Sequence, residues 1–283
     1  MSGTTTSVST TSSGMHILAG QTVDVLAGGT LLAVSDLGYL NISAGGLVSG
    51  GSAGAGAAVT VFNGGVASAA LVSGSNADLT VSSGGSADGV TVSAGGVVTL
   101  LNQGVANGTT LLAGGTEQIL SGGQSLNDVV SGGSLKVLAG GTALGPTVTA
   151  GGSASVGGTK AVISGELVTR SGMLTVAAAG TASFATIDQG GTMTVLSGGT
   201  ASFATLNGAG TLAVASGASL TGYVDFAATS GRLDIAGTAM PGLTLSGFAV
   251  GDVLDLTGVA YAGGNSASIS GGHTLVVSAG GAT

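Results

Sequence analysis

Twelve Asp and Glu, four Lys and Arg and two His supply most of the ionisable chemistry of this 283-residue chain. The two acids nearest in sequence are Asp252 and Asp255, on either side of Val253-Leu254. Two carboxyls in one groove could perform the acid–base work of glycoside hydrolysis. In a strand, however, a spacing of three puts them on opposite faces. They read as turn or edge acids that keep the chain soluble. Asp88, Asp128 and Glu166 are too far apart in sequence to suggest convergence. His16 and His273 stand alone, with no second ligand at metal spacing, and read as surface histidines. The Gly-Gly-x-Gly-x-Asp repeat of calcium-filled rolls does not occur. Nor does a phosphate loop with its strand, helix and Lys. No catalytic, cofactor-binding or metal-ligating residue is expected, and the chain does not read as an enzyme.

Bulk composition narrows the partners. Net charge is −8, and the basic residues Lys136, Lys160, Arg170 and Arg232 are scattered. Without a basic stripe the chain cannot follow a phosphate backbone, so no nucleic-acid partner is expected. The absence of cysteine excludes disulfides and thiolate metal sites. No apolar run reaches the 18 residues of a membrane-spanning helix, and the short strands are too brief for a membrane barrel. The start, MSGTTTSVSTTSSG, lacks the basic and apolar regions of a secretory signal.

The elements that must carry these residues are set by a period. TASFAT at Thr181 returns at Thr200, 19 residues later. Stepping by about that period joins Val25, Ile42, Val61, Val81, Leu100, Ile119, Val137, Val156, Val176, Val195, Val214 and Ile235. Two residues before each is another apolar position, from Val23 and Leu40 to Leu212 and Leu233, broken only by Glu117. The residue between is polar in every case but Ala213. This is strand alternation repeated in register, with an apolar face inward and a polar face outward. A second ladder comprises Val72, Val92, Leu111, Val130, Val148, Val168, Ile187 and Leu206. Gly-Gly pairs at 114, 122, 132 and 140 mark corners, alternately 8 and 10 residues apart.

The fold expected is all-β: a parallel β-solenoid of about twelve 19-residue rungs, each with at least two strands and a flattened or triangular section. Residues 1–14 read as a Ser/Thr-rich tail or edge strand, 15–235 as the solenoid, and 236–283 as a variant strand-rich portion that continues or ends it. Residues 51–58, GSAGAGAA, read as a loop bulging from one turn. Pro146 should sit at a corner or edge. Phe184 and Phe203 should stack. Glu117 should lean out at a corner, or its turn should be distorted.

The repeats from Gly84 to Gly152, of the form Gly-Gly-x-Ala-x-x-Thr-x-Val-x-x-Gly-Gly, resemble those of AIDA-type autotransporter adhesin passengers. The resemblance covers about residues 15–235. It implies an extracellular, right-handed β-helix acting in bacterial adhesion, self-association or biofilm, with Ser and Thr open to glycosylation. Gly247–Val259 is similar to C-terminal parts of large secreted bacterial proteins without signals, which implies a one-step exporter or a longer precursor. The function expected is a non-enzymatic structural protein at the cell surface or outside the cell. Its partners would be itself or matrix components, with end-to-end fibres as one form. The alternatives are a passive stalk for another domain and a carbohydrate-active β-helix using Asp252 and Asp255.

Overall fold

The computed structural model describes residues 4–237, 243–260, 263–271 and 274–278. The chain winds into a β-solenoid of about thirteen turns spaced some 19 residues apart, with every strand of one coil paired in parallel with the next. A first face is a 14-stranded sheet running from Thr5–Val8 to Val253–Asp255. The second and third faces form one 21-stranded sheet bent along an edge. One coil shows the plan: Thr116–Ile119 lies on the first face, Gln124–Leu126 on the second and Val129–Ser131 on the third. Most coils carry three strands; in four the second and third run on as one, as Thr30–Asp36, Leu47–Ala53, Thr200–Asn207 and Ser219–Phe226.

The expected apolar columns pair residue for residue. Ile119 lies between Leu100 and Val137, Val156 between Val137 and Val176, and Val130 between Leu111 and Val148. Both columns face one continuous interior, where these side chains are at most 1% exposed. The strands are short, and one coil cannot bury its own apolar side. Stacked coils bury each other's and satisfy backbone donors and acceptors at about 4.8 Å spacing.

The Gly-Gly pairs mark two of the three corners. Gly122 has φ +78° and donates its N–H to Gly140 of the next coil. A Cβ on Gly123 would lie 2.7 Å from the carbonyl oxygen of Leu100, so the second Gly is required by the coil beneath. The third corner, between the second and third faces, is a single residue with positive φ in every coil but one, where Gly50 and Gly51 both take positive φ, and so it leaves no repeating paired-Gly mark. That is why the longer half of the period holds two strands. Pro146 is at this corner, between Thr142–Leu144 and Thr147–Thr149.

Two expectations are corrected. Residues 51–58 do not bulge: Ser52 and Ala53 end the strand Leu47–Ala53 and pair with Ser35 and Asp36 on one side and Leu71 and Val72 on the other. Their small side chains hide the alternation, yet Ala53 and Ala57 are buried. Glu117 neither leans out nor distorts its turn. It is fully buried and keeps its register between Val98 and Leu135.

The described part of the C-terminal region adds Thr244–Ser246 and Val253–Asp255 to the last coils, and an antiparallel hairpin of Ser266–Ser270 and Thr274–Ser278. No described helix is long and apolar enough to cross a membrane.

Candidate functional site

Two arrangements stand out, one inside the solenoid and one on its outer edge. The interior one is a cluster of Glu117, Ser125 and Asp128 from one coil with Thr109 from the preceding coil, all at most 1% exposed. Glu117 comes from the first face, Ser125 from the second, and Asp128 from the start of the third. Ser125 Oγ donates to Asp128 Oδ2 at 2.5 Å, and the Thr109 N–H donates to Asp128 Oδ1 at 3.2 Å. Neither carboxyl oxygen of Glu117 has a hydrogen bond of good geometry. Burial first, and the charge of Asp128 second, push its pKa well above the usual carboxylate range. Asp128 is raised to about 6 by burial, against the bonds from Ser125 and Thr109.

Two more acids are buried elsewhere. Glu166 is raised to about 7 by burial, and both its oxygens lack partners. Asp36 is raised to about 6; its Oδ1 accepts from the Gly38 N–H at 2.8 Å. Its residue lines a cavity of about 20 Å³ with Val34, Leu40 and Ser52, room for a molecule the size of water. All four carboxyls are at most 1% exposed, and their raised proton affinities tie the stability of the fold to pH.

The outer arrangement lies on the single-residue corner. From Gly14 to Gly222 each coil places a positive-φ residue there, and most are Gly, Ala or Asn. Phe184 (φ 60°) and Phe203 (φ 55°) are the exceptions. A bulky side chain in this region costs about 1–3 kcal/mol of backbone strain. The two rings stack as expected, with centroids 5.1 Å apart and planes within 10°. Tyr223 meets Phe203 edge to face at 5.3 Å. Phe184 is 56% exposed, Phe203 36% and Tyr223 39%.

The other candidates are placed apart. Asp252 caps a turn, accepting from the N–H of Ala249 and of Gly231. Asp255 instead accepts from Arg232 Nη2 at 2.6 Å, and Arg232 Nε lies 2.7 Å from Asp234. The pair thus has separate partners and shares no groove. Asp88 accepts from Ser86 Oγ of its own strand. His16 is exposed, and His273 lies outside the described residues. Among the described residues no group of three potential metal ligands converges.

The meeting of Glu117 with Asp128 escapes the sequence pattern because Asp128 falls between the corner residue Asn127 and the strand Val129–Ser131, outside the alternating apolar columns. Its only signal is the 19-residue spacing from Thr109, another polar residue directly after a corner.

No family model matches the chain, and no curated protein matches it. Among solved structures, the fold is similar to that of a TibA fragment (residues 55–350) described as hyper-glycosylated by TibC, with a TM-score of 0.70. The identity is 22%, and the match covers 89% of this chain and 94% of that one. The likeness establishes the β-solenoid fold.

Proposed function

We propose that this chain is a non-enzymatic structural protein of the bacterial surface or extracellular matrix, acting in adhesion through self-association. The observation that carries this reading is the outward surface. Thr60, Thr80, Thr99 and Gln118 stand in register on the first face. On the bent sheet, Ser183 bonds Ser164 and Ser93 bonds Ser73 from coil to coil. The outward acids are dispersed, while Asp36, Glu117, Asp128 and Glu166 are sealed inside. A long rod with repeating hydrogen-bonding rows suits repeated contact with an identical neighbour better than it suits catalysis. The AIDA-type repeat pattern and the shared solenoid fold support the same reading. Sedimentation velocity over a concentration series tests it, with electron microscopy separating lateral from end-to-end contact. Reversible association is expected; a monomer at every concentration would favour the stalk reading.

A second reading rests on the same hydroxyl rows and on the hyper-glycosylated state of the similar TibA fragment. Outward Ser and Thr would accept sugars, and intact-mass measurement of protein from its native source would reveal them.

A further inference from the structure

We infer that the corner between the second and third faces is a self-docking edge, on which two copies pack antiparallel with the aromatic rings of each seated in the glycine notches of the other. This rests on the self-association proposed above and names its surface. Along the edge, six successive coils place Asn127, Gly145, Gly165, Phe184, Phe203 and Gly222. The order has its own complement. A two-fold axis between Gly165 and Phe184, perpendicular to the rod, sets Phe184 opposite Gly165 and Phe203 opposite Gly145. The same axis brings Gly222, with Tyr223 beside it, opposite Asn127. An isologous contact requires this reciprocity, because one patch must fit itself.

Three observations make the notches and knobs real. A Cβ built on Gly165 would meet nothing nearer than Gly145 backbone atoms at 3.9 Å, so that corner is open, whereas one on Gly145 would lie 2.9 Å from Asn127 Oδ1, so the second notch takes a ring only if the Asn127 side chain swings aside. The Phe203 ring lies instead over Gly222, where a Cβ would come within 2.6 Å of it. The rings therefore lean toward the C-terminal coils and leave the Gly165 side of Phe184 uncovered. Second, both Phe residues hold a strained backbone, although the chain fills this corner elsewhere mainly with Gly, Ala and Asn. Strain kept at an exposed place points to a use outside the fold.

Third, the edge carries little charge. From the coil of Asn127 to that of Phe203, the outward side chains next to the corner are Leu, Val, Ser and Thr; Asp128 and Glu166 are buried, and Asp188, half-buried, stands at the far end of the strand Thr186–Asp188. A chain of net charge −8 can bring two copies together where like charges do not meet. Leu144, 42% exposed, and Val129, 38% exposed, add apolar walls beside the notches.

The test is sedimentation velocity on the full chain with Phe184→Ala, Phe203→Ala and the notch-filling Gly165→Asn, which tolerates positive φ. Wild type is expected to form dimers, and each variant to weaken the dimer at least tenfold while unfolding at the same denaturant concentration within error. Wild-type association unchanged in all three variants overturns this edge and leaves the broader self-association reading intact. A wild type that is monomeric throughout overturns both. A monomer whose tyrosine fluorescence changes on adding a neutral glucan oligosaccharide, with the change lost in Phe184→Ala, replaces the second copy by a saccharide.

Discussion

The coil at 116–131 and the coil at 192–207 share one backbone plan and differ in what they enclose. Both carry a first-face strand of four residues, a Gly-Gly corner, a single-residue corner and in-register partners above and below. The first encloses Glu117, Ser125 and Asp128; the second encloses Met193, Ala201 and Leu206. That the same ladder accepts either filling shows where the fold is decided: in backbone pairing and corner geometry. The interior side chains then tune stability and its dependence on pH. Outside, the contrast inverts, since the apolar-filled coil carries the strained Phe203 and the acid-filled coil carries Asn127 at the same corner.

Exchanging the fillings tests this most severely. Met193 sits between Leu174 and Leu212 with no polar neighbour in register. Met193→Glu should cost about 3–5 kcal/mol at pH 8, because it leaves a buried charge without compensation. The reciprocal Glu117→Met should raise the urea midpoint at pH 8 and change it little at pH 4. Equal costs for the two substitutions would show that the coils are not interchangeable.

The pH response is the next largest effect. Glu166 has a folded pKa near 7, above its unfolded value of about 4.5. The native state therefore holds its proton across the window between them. Stability is complete below about pH 4.5, falls as pH rises through 7, and is flat beyond, with a loss of about 3 kcal/mol. Asp36 and Asp128, both raised to about 6, add losses of the same sign at slightly lower pH. Glu166→Gln should flatten part of the decline in a pH series of melting temperatures. A wild type that gains stability from pH 4.5 to 8, with Glu166→Gln following it in parallel, would refute protonation of the interior.

The corners give a finer comparison. A Cβ on Gly115 would lie 2.2 Å from the Val92 carbonyl oxygen, while one on Gly108, at the single-residue corner, meets nothing within 4 Å. Gly115→Ala should cost about 1–3 kcal/mol by crowding. Gly108→Ala should cost about 1 kcal/mol, from its positive φ alone. Denaturation midpoints of the two variants should keep that order. The smallest effect on stability belongs to Phe184→Ala, within about 1 kcal/mol of wild type, because lost ring stacking and relieved strain oppose each other.

Legibility in the sequence followed side-chain size and polarity. Val, Leu and Ile columns on the first and third faces were readable because large apolar residues alternate with Thr, Ser and Asn. The second face was not, because its inward residues are mostly Ala, as at Ala67, Ala87, Ala106 and Ala143, with Ser125 among them. Alanine alternating with Ser and Thr carries almost no hydropathy contrast. The same blindness turned residues 51–58 into a supposed bulge. Glu117 breaks the pattern for a different reason: polarity ordinarily goes with exposure, whereas a carboxyl that keeps its proton tolerates an enclosed place among Ser, Thr and Asp. The stacking of Phe184 on Phe203 was legible from spacing alone, but the φ that carries them was not.

Each coil touches only the coil before and the coil after it, and the twin TASFAT segments at Thr181 and Thr200 are nearly interchangeable in place. A whole 19-residue unit can therefore be inserted or removed with a change in only one interface. Reach from one end of the molecule to the other becomes a quantity that a lineage can adjust in steps of about 5 Å, by copying short stretches of gene, with no new core to invent.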